Sequence, residues 1–470
     1  MKIFDDTMDR VGILVVSYGA RAVSMIDAFS RSQNYKPEFF IADKQRNPFN
    51  AKIAKEHAII PDLNINEISK FAKKHKDKID FGIVGPEGPI VDGVRDLVEK
   101  ETNIPMICPT KKFTVEGSKV LQRELIEKCY PDANPRFKVF NPKDYSNIED
   151  VKKDVWSWLD EFNNEVAVKP DRPAVGKGVG VWGDHFSTRE ELFDHFLSIF
   201  KHDSVIIEEK IDGEEFSLQC FSDGRHLTPT PAVRDNKRAF ENDRGPNTGG
   251  MGSYKDTGNI LPFMNRKDWD EGIKIAEKIF EKLKGKNFNP ELRGIPMYMA
   301  YTVARDGIKC FEINSRGGMP ETQNLMPILE DDFVDVCFDI IDGKLTKLNF
   351  KPKATVVIYK VPPTYAGKEK EFTDDTRVDL TNAMNLLQTY DGNFKLYPCS
   401  MELRDDEIFA LKSRTVCTVG IGNSIKEARK IAVEGMDAIK GASLWYRTDI
   451  ASEEHIRKSI EHVKKLRKCG

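Results

Sequence analysis

The sequence has no long apolar run and almost no net charge, and each absence excludes a class of protein. No stretch approaches the roughly 18 uninterrupted apolar residues of a membrane-spanning helix. The opening MKIFDDTMDR lacks the basic and then apolar order of a signal peptide. The net charge is only -3, from 72 basic and 75 acidic side chains, which argues against electrostatic binding of a nucleic acid backbone. We therefore expect a cytoplasmic protein that binds neither nucleic acids nor membranes.

Paired cysteines and internal repeats are also absent. The eight cysteines are scattered singly, without a CxxC pair or a short spacing typical of zinc sites, which favours a reducing compartment. Without repeats or low-complexity tracts, solenoids and disordered arrays are excluded. The chain has 470 residues, 40% of them hydrophobic, and exceeds the size at which one core stops growing, so we expect about two to four packed units.

Short apolar runs alternate with charged helical segments over residues 1–115. The run VGILVVS at 11–17 is too short and too branched for a helix, and a helical pattern follows Tyr18. Further apolar runs at 39–42, 81–84 and 105–107 are separated by Lys- and Glu-rich stretches such as 66–78. This alternation is typical of a parallel α/β unit.

The pattern changes after Ser118, where glycine-rich loops join strands and helices. The predicted strands of this segment are 165–169, 204–211, 216–221, 297–302 and 309–314, and a helix is predicted at 267–283. A third unit begins near Phe350, with predicted strands at 354–359 and 416–421. In it, Ser424 and Glu427 form a capping-box pattern for a helix through Ile439, and a charged helix is predicted at 453–468.

A glycine-rich segment, AVGKGVG at 174–180, follows the predicted strand that ends at Lys169. Its three glycines would let backbone N–H groups approach phosphate oxygens, while Lys169 and Lys177 add positive charge. The segment is not a Walker loop, because GxxxxGK[ST] is absent. A flexible hairpin with a solvated lysine has the same pattern, so the glycines alone leave phosphate binding open.

A second candidate segment, SVIIEEKIDGEEF at 204–216, is an apolar strand that ends in a dense set of carboxylates. A planar adenine could bond to backbone groups at the strand end, with a carboxylate accepting from ribose hydroxyls. A strand that ends in a solvated turn has the same pattern, and the segment alone favours that simpler interpretation.

The third candidate, DNKRAF at 235–240 followed by GPNTGGMG at 245–252, has too many glycines and polar groups for an ordinary core element. Lys237 and Arg238 could hold phosphoryl oxygens, and residues 247–250 could form an anion-binding nest. A mobile surface loop is the alternative, but the length and density of the segment favour a functional loop.

The strand FEIN at 311–314 is followed closely by Arg316. Alternation along a strand places Glu312 and Asn314 on one face, while Phe311 and Ile313 turn to the other. Two such oxygen ligands, about 6 to 7 Å apart at their backbones, can share one Mg²⁺. The pair alone favours a polar face on an exposed strand, and the Arg-Gly-Gly sequence at 316–318 shifts the balance toward a metal site.

Two other kinds of chemistry are excluded by missing patterns. None of the eight histidines lies in these segments, and no Ser/His/Asp arrangement is evident, so covalent catalysis by the protein is unsupported. A dinucleotide-dependent oxidoreductase is excluded because GxGxxG is missing after the first strand, where Gly19 is the only glycine of the turn.

Taken together, the motifs resemble the phosphoribosylamine–glycine ligases, the glycinamide ribonucleotide synthetases of purine biosynthesis, which are ATP-grasp enzymes. The matching segments follow the family's order and are GPEGP, PTKK…EGSK, VKPD…GKGV, IIEEKIDGEEFS, DNKRAFENDRGPNTGGMG, EINSRGG…PETQ and YRTDI at 446–450. The resemblance implies a multidomain α/β and α+β protein. It would have a Rossmann-like amino-terminal domain at 1–115, an ATP-grasp domain at 116–335 with a lid within about 170–240, and a small α+β carboxy-terminal domain with a terminal helix at 350–470.

The resemblance also implies an activity: ATP-dependent ligation of glycine to 5-phosphoribosylamine through a glycyl phosphate, giving glycinamide ribonucleotide, ADP and phosphate. The residues implied for ATP are Lys119, Lys169, Gly176, Lys177, Gly178, Glu208, Glu209, Lys210, Ile211 and Glu215. Those implied for the substrates are Gly85, Pro86, Glu87, Asp235, Lys237, Arg238, Asn247, Thr248, Gly249 and Gly250. Lys237, Arg293 and Arg316 are predicted to neutralise developing charge, and Glu312 and Asn314 to bind Mg²⁺ or Mn²⁺.

The chain departs from the family pattern at two places. SYGARA at 17–22 stands where the family has a GGREH-type loop, and RGGMPE at 316–321 stands where it has RFGDPE. These departures leave open a ligase that joins a different carboxylate and amine, or a nucleotide-binding protein without catalysis. Glu312, Asn314, Lys169 and Lys237 are retained and favour an enzyme. The sequence is compatible with a monomer or a dimer.

Overall fold

A parallel sheet forms the amino-terminal part of the molecule in the computed structural model, which describes residues 9–173, 178–367 and 376–468. Its elements are β1 (Asp9–Val16), α1 (Gly19–Phe29), β2 (Tyr35–Asp43), α2 (Asn50–Ile53), β3 (Ala54–Ile59), α3 (Ile65–Lys74), β4 (Phe81–Val84), α4 (Glu87–Asp92), α5 (Val94–Thr102) and β5 (Met106–Ile107). All neighbouring strands are parallel, in the order β3-β2-β1-β4-β5. The parallel α/β unit predicted from the sequence is thus confirmed.

The central strand β1 is apolar on both faces because helices cover both faces of the sheet. Ile13 packs in one cluster with Phe29 of α1, while Leu14 packs in another with Ile68 of α3. The carboxyl ends of β1 and β4 lie side by side, with Val16 opposite Val84. That edge is where open parallel sheets bind ligands.

A small unit at residues 137–209, called the lid unit below, has a sheet and a core of its own. Helix α6 (Lys119–Cys129) precedes this unit. The elements of the unit are β6 (Phe137–Phe140), α7 (Ile148–Glu161), β7 (Val166–Pro170), β8 (Gly180–Val181), α8 (Arg189–Phe200) and β9 (Val205–Glu209). The antiparallel sheet has the order β6-β9-β7-β8. Ile207 packs with α7 and α8 on one face. Strand alternation therefore turns the neighbouring Glu208 to the opposite face. The lid predicted at about 170–240 overlaps this unit only in part.

The middle of the chain contributes a second antiparallel sheet, called the central sheet. The elements of this stretch are β10 (Glu214–Asp223), β11 (Leu227–Pro229), β12 (Arg234–Asp235), β13 (Arg238–Phe240), β14 (Arg244–Asn247), β15 (Gly252–Lys255), α9 (Arg266–Lys284), β16 (Arg293–Ala304), β17 (Gly307–Asn314), α10 (Glu321–Leu325) and α11 (Phe333–Asp342). The central sheet has the order β11-β10-β16-β17, and β13 pairs with β14 as a hairpin. This hairpin is the segment predicted to be a functional loop.

The carboxy-terminal part forms a five-stranded sheet that also takes in two strands from the middle of the chain. Its elements are β18 (Ala354–Lys360), β19 (Val378–Asp379), α12 (Thr381–Thr389), β20 (Phe394–Pro398), β21 (Met401–Arg404), β22 (Glu407–Ala410), β23 (Val416–Gly422), α13 (Ile425–Ala438), β24 (Lys440–Gly441) and α14 (Glu453–Lys468). The strand order β12-β15-β18-β23-β20 includes β12 and β15 from the middle of the chain. The hairpin β13-β14 is therefore anchored at both ends in the carboxy-terminal sheet.

Two expectations about the whole chain concern membranes and cysteines. Within the described ranges, no helix has both the length and the apolar composition to cross a bilayer. The seven cysteines that the structure describes are all free thiols.

Candidate active site

One face of the central sheet gathers polar side chains from three adjacent strands. Residues directly opposite each other on antiparallel strands share a face. Ser217 of β10 lies opposite Ala300 of β16, and Ala300 lies opposite Glu312 of β17. One pair along, Tyr298 lies opposite Asn314. Glu312, Asn314 and Tyr298 are therefore brought to the same surface, called the site face below.

Glu312 and Asn314 share the site face, as alternation predicted, and Glu312 lies in a strongly positive environment. Its carboxylate lies 3.5 Å from the Lys119 ammonium, and its side chain is 37% exposed. Burial works to raise the pKa of Glu312, but the charges of Lys119 and Lys169 outweigh it and hold the pKa below its usual value. Glu312 thus offers an ionised carboxylate beside the Asn314 amide, and its metal role stays a prediction.

Phe311 does not turn away from the site face as strict alternation predicted. The β16–β17 register shifts between Ala300 and Tyr301, because Ala300 faces Glu312 while Tyr301 faces Cys310, which leaves Phe311 as the extra residue of a bulge. The Phe311 ring lies 5.9 Å from the Lys169 ammonium, on the side of the lid unit. The prediction for Phe311 was wrong because alternation assumes an unbroken ladder.

Lys169 of the lid unit is held by a buried carboxylate. Its Nζ lies 2.5 Å from Oε2 of Glu208, and Oε1 of Glu208 accepts a 2.7 Å bond from Nε of Arg123. Both carboxylate oxygens are thus occupied, and Glu208 is 1% exposed. Burial works to raise the pKa of Glu208, but the two cations keep it low. The Glu208 side chain therefore serves Lys169, and the predicted adenine contacts are left to backbone groups at the strand end.

The other residues predicted for ATP in this region lie at or just after the end of β9, or just before β8. Nζ of Lys210 donates to the Trp182 carbonyl oxygen at 2.9 Å, and Oε1 of Glu209 accepts from the backbone N–H of Arg136 at 2.8 Å. Ile211 follows the end of β9 and is partly exposed. The carbonyl of Gly178 accepts from Nε2 of His195 at 2.9 Å. Gly176 and Lys177 lie outside the described residues.

A small cavity opens beside the site face, and its lining is rich in ionisable groups. Lys237 places Nζ 2.6 Å from Oε2 of Glu215. Burial works against the charge of Lys237, but Glu215 and Asp235 outweigh it and raise its pKa. The lining residues are Glu215, Phe216, Ser217, Asp235, Lys237, Tyr298 and Ala300. Lys237 and Glu215, predicted separately for substrate and ribose, are thus brought together as an ion pair.

Asp235 also lines this cavity, and one oxygen of its carboxyl group lacks a hydrogen bond that would offset the cost of burial. Its Oδ1 atom is buried without a hydrogen-bond partner. Burial raises the pKa of Asp235 well above its usual value, and repulsion from Glu321 raises it further. Glu321 itself accepts a 2.5 Å bond from the Tyr298 hydroxyl and a 3.3 Å bond from the Ser217 hydroxyl. The cavity thus has carboxyl groups at its wall that can accept hydrogen bonds from an amino group.

The residues at 247–250 do not form the anion nest that their composition predicted. The backbone N–H of Thr248 donates to the Lys237 carbonyl at 2.8 Å, that of Gly249 to the Tyr365 hydroxyl at 3.2 Å, and that of Gly250 to the Thr248 hydroxyl at 3.0 Å. A nest needs free N–H groups, and these three are already used. The prediction of an anion nest was wrong, and Asn247 lies at the exposed end of β14.

Arg238 links the hairpin to the lid unit. Its guanidinium forms an ion pair with Asp184 of the lid unit through Nη2, and Nη1 donates to the Gly245 carbonyl at 2.9 Å. Two nitrogens of its guanidinium thus bond to the protein, and its contact with a phosphoryl group stays a prediction.

Arg293 lies away from the site face, and its catalytic role stays a prediction. It begins β16, five residues before Tyr298, which puts the two backbones about 17 Å apart along the strand. Nη2 of Arg293 donates to the Ile341 carbonyl at 2.5 Å. The next residue, Gly294, approaches the Cys108 backbone of the amino-terminal unit.

Arg316 joins the central sheet to the amino-terminal unit. Its guanidinium lies 3.2 Å from Glu116 and 3.5 Å from Glu87, which opens α4 just past the carboxyl end of β4. Burial works to raise the pKa of Glu87, but Arg316 and Arg21 hold it below its usual value. The predicted substrate residues Gly85, Pro86 and Glu87 thus lie next to Arg316, at the ligand-binding edge of the parallel sheet.

The two segments that depart from the family pattern both contact this region. Arg21 of SYGARA donates from Nη1 to the Gly85 carbonyl at 2.6 Å. In RGGMPE, a side chain on Gly318 would collide with Glu321 and Tyr298, at 2.3 and 2.6 Å. The Tyr298 ring lies 5.7 Å from the Arg316 guanidinium. Tyr298 thus places an aromatic ring beside Arg316, and the Glu321 carboxylate accepts from the Tyr298 hydroxyl.

Three buried arginines that sequence reasoning did not single out hold the site together. Arg123 contacts Glu208 on the lid unit. Arg414 of the carboxy-terminal part donates to the carbonyls of Gly249 and Met319. Arg447, 0% exposed, donates to the Arg238 carbonyl at 2.8 Å. Only Arg447 carried a signal, because it lies in the YRTDI motif, which had no role assigned.

Two family models match the chain. The model described as phosphoribosylglycinamide synthetase, N domain, matches residues 11–115, and the model described as phosphoribosylglycinamide synthetase, ATP-grasp (A) domain, matches residues 127–322. Among curated relatives, the phosphoribosylamine–glycine ligase of Methanocella arvoryzae is 34% identical, over 97% of this chain and 99% of its own length. That of Methanobrevibacter smithii is 36% identical, over 97% and 99%.

Solved structures share the fold. The phosphoribosylamine–glycine ligase of Thermotoga maritima matches with a TM-score of 0.70 and 22% identity, over 94% of this chain and 100% of that chain. The biotin carboxylase domain of the 2-oxoglutarate carboxylase of Hydrogenobacter thermophilus, solved in complex with MgADP, matches with a TM-score of 0.67 and 13% identity, over 96% and 93%. At these identities the likeness shows the fold alone, and it confirms a multidomain α/β and α+β architecture.

Proposed function

This chain belongs to the phosphoribosylamine–glycine ligase family, and we propose that its site face carries out that reaction. The enzyme joins glycine to 5-phosphoribosylamine with ATP, and it releases glycinamide ribonucleotide, ADP and phosphate in purine biosynthesis. The observation that carries the assignment of the site is the ionised Glu312 beside Asn314, facing Lys119 and Lys169. Oxygen ligands and positive charge are the main requirements of phosphoryl transfer.

The residues of the site face fit a divalent cation. Glu312 and Asn314 supply a carboxylate and an amide oxygen, the hard ligands that Mg²⁺ prefers. Among the described residues, no cluster of three or more His, Cys, Asp or Glu side chains could hold a metal by itself. This donor set suits an ion whose other ligands are phosphate oxygens and water. When bound, the ion would offset negative charge on the phosphates. We propose Mg²⁺, with Mn²⁺ as the substitute.

ATP and the small substrates are proposed to meet at the site face from two sides. Lys169, held by Glu208, and Lys119 would contact phosphate oxygens from the lid side. The cavity beside Lys237 would hold glycine, with its ammonium group against Asp235 and Glu215 and its carboxylate turned toward the phosphates. The edge of the parallel sheet at Glu87 would receive the phosphoribosylamine.

The proposed chemistry has two steps that balance without a protein nucleophile. A glycine carboxylate oxygen attacks the γ-phosphorus of ATP. The bond between that phosphorus and the oxygen that bridges the β- and γ-phosphates breaks, which gives glycyl phosphate and ADP. The amine nitrogen of phosphoribosylamine then attacks the carbonyl carbon, phosphate leaves, and the nitrogen loses one proton. Lys237 and Arg316 offset the charge that develops on the transferred phosphoryl group.

The seven free thiols are consistent with a cytoplasmic location, which we also propose.

The test of the proposed function is substrate dependence. Purified protein with ATP and Mg²⁺ should release ADP only when both glycine and phosphoribosylamine are present, and mass spectrometry should detect glycinamide ribonucleotide. Lys237→Met should abolish turnover, whereas Lys128→Met, at a position whose side chain is 67% exposed, should not change it. No ADP with both substrates would contradict the proposal, and turnover with a different amine instead would identify another acceptor.

A further inference from the structure

Arg123 is a buried cation at the junction of the lid unit, α6 and the central sheet. It is 1% exposed, in the middle of α6. Its Nε donates to Oε1 of Glu208 at 2.7 Å, and its Nη1 donates to Oδ1 of Asn134 at 2.9 Å and to the Cys310 carbonyl at 2.8 Å. Its Nη2 donates to the Phe311 carbonyl. One guanidinium thus contacts both the lid unit and the strand that carries Glu312.

The first arm of this network sets the charge and position of Lys169. Glu208 bridges Arg123 and Lys169, so the three side chains carry two positive charges and one negative charge. With Arg123 present, the excess charge of the cluster is positive. Without it, Glu208 and Lys169 would neutralise each other, and the Lys169 ammonium would offer less charge to a phosphate. The Lys169 side chain is 13% exposed, so water screens this effect only weakly.

The second arm sets the shape of the strand just before Glu312. Phe311 is the extra residue of the β16–β17 bulge, and a bulge leaves ladder groups of the bulged strand without strand partners. Arg123 donates to the carbonyls of Cys310 and Phe311, the two residues that precede Glu312. These bonds hold the bulge in the form that turns Glu312 to the site face beside Asn314.

We propose that Arg123 is a positioning residue that couples the phosphate-binding lysine of the lid unit to the metal-binding strand. This inference rests on the proposed function of Lys169, Glu312 and Asn314. A lysine cannot replace it, because a single ammonium lacks the planar fork needed to reach a carboxylate and two carbonyls at once. Loss of Arg123 therefore weakens nucleotide and metal binding together and leaves the glycine cavity in place.

The test compares three variants with one matched control. Arg123→Lys keeps the charge and loses the fork, Arg123→Met loses both, and Glu208→Gln breaks only the arm to Lys169. Arg95→Lys is the control, because Arg95 is also buried, at 3% exposure, and also joins a glutamate, Glu99, and a carbonyl, but it lies in the amino-terminal unit.

The readouts separate positioning from stability. Binding of a non-hydrolysable ATP analogue is titrated by calorimetry with and without Mg²⁺, which needs neither glycine nor the amine. For Arg123→Lys we expect analogue affinity and Mg²⁺ affinity each to fall about tenfold, with the KM for glycine unchanged. Glu208→Gln adds net positive charge but releases Lys169 from the carboxylate that holds it, so it should weaken analogue binding through the lost position of Lys169, without changing the Mg²⁺ dependence. Arg95→Lys should change neither, whatever it does to the melting temperature.

Three outcomes would overturn the proposal. The first is that folded Arg123→Lys binds the analogue and Mg²⁺ with wild-type affinity. The second is that the KM for glycine in Arg123→Lys rises as much as its analogue affinity falls. The third is that Arg95→Lys loses the same affinities. If Arg123→Met does not fold, Arg123→Lys and Glu208→Gln still decide. Failure of the proposed reaction would appear separately, as wild-type protein that binds the analogue and Mg²⁺ but makes no product.

Discussion

Glu312 stays ionised in a partly buried position because several cations surround it, with Lys119 at 3.5 Å. Glu312→Gln keeps the shape of the side chain and removes its charge. Since a neutral amide binds a divalent cation less well than a carboxylate, we expect kcat to fall about 10- to 100-fold and the half-saturating Mg²⁺ concentration to rise. ADP release measured against Mg²⁺ concentration checks this.

The control for that variant lies on the same strand pair. Asp306 sits at the β16–β17 turn, with a side chain 66% exposed and paired with Lys309 at 3.0 Å. Asp306→Asn removes the same charge by the same chemical change but should leave the Mg²⁺ dependence as it is. A Glu312→Gln enzyme with wild-type Mg²⁺ dependence would show that Glu312 does not bind the metal.

Local sequence patterns predict where a side chain lies when its neighbours along the chain decide the position, and they fail when its partners are distant in sequence. Period-two alternation was enough to put Glu312 and Asn314 on one face. It could not show that Phe311 is the extra residue of a bulge, because that depends on pairing with β16. It also could not show that Glu208 is used by Arg123, which is 85 residues away.

Helix α13 packs so closely on β23 that one strand position has no room for a side chain. A Cβ on Gly420 would lie 1.9 Å from the Ala428 carbonyl oxygen and 2.7 Å from the Ala432 nitrogen, both of them backbone atoms that cannot easily move. We expect Gly420→Ala to lower the free energy of unfolding by about 1–3 kcal/mol, because helix and strand would have to separate.

Gly258 provides the comparison for that substitution. No atom lies within 4 Å of a Cβ built there, and Gly258→Ala should change the free energy of unfolding by less than about 0.5 kcal/mol. Urea denaturation of both variants, followed by circular dichroism, measures the difference. Equal stability of the two variants would mean that α13 and β23 are not in such close contact.

The terminal helix α14 is attached partly through an imidazole between two carboxylates. His462 lies 2.7 Å from Glu214 and 3.1 Å from Asp212. Burial works to lower the pKa of His462, but the hydrogen bond to Glu214 and the charge of Asp212 raise it above its usual value. The protonated imidazole therefore stabilises docking of the helix. This contribution is fully present below about pH 6.5, the pKa of an unperturbed histidine, and it is lost as the pH rises through the pKa of His462 in the folded protein.

Hydrogen exchange of α14, corrected for the intrinsic rate, should therefore be slower at pH 6 than at pH 8. His462→Gln should remove the difference, whereas His202→Gln, at an exposed position of the lid unit, should keep it. If the wild-type helix is equally protected at both pH values, the imidazole does not contribute to docking.

At the element scale, the predicted helices and strands agree closely with the structure where caps and periodicity are strong. The strand ending at Asn314 and the helix at 453–468 were both confirmed at these ends. Local sequence patterns do not show which strands pair with each other in a sheet. Strands β12 and β15 lie in the middle of the chain, but they pair into the carboxy-terminal sheet, and no local pattern distinguishes that from pairing with β10.

On the scale of the whole molecule, the site depends on all parts of the chain. The amino-terminal unit brings Glu87, the lid unit brings Lys169, and the central sheet brings Glu312. The carboxy-terminal part brings none of the residues predicted for the reaction. Its contribution is to hold the segments around the cavity of Lys237, through Arg414 on one side and Arg447 on the other.

Arg414 gives this role a specific test. Its Nη1 donates to the carbonyls of Gly249, Gly250 and Met319, with 3.3 Å to Gly250 and 3.1 Å to Met319, so it joins two loops beside the cavity of Lys237. Arg414→Lys keeps the charge but places it one bond nearer the backbone, so the ammonium cannot take the position of Nη1 between the three carbonyls. The loops should then lose their relative position, because Gly249, Gly250 and Met319 no longer share one donor.

We expect Arg414→Lys to raise the KM for glycine or for phosphoribosylamine about tenfold, as loss of a supporting contact does, while ATP-analogue affinity stays at the wild-type value. Arg404→Lys is the matched control in the same part of the chain, since Arg404 is 52% exposed and pairs only with its neighbour Glu402 among the ion pairs of the described residues. Steady-state kinetics with each substrate varied, together with calorimetry, separate the two effects. If ATP binding weakens as much as substrate binding, Arg414 supports the fold in general, and the carboxy-terminal part has no selective role at the substrate loops.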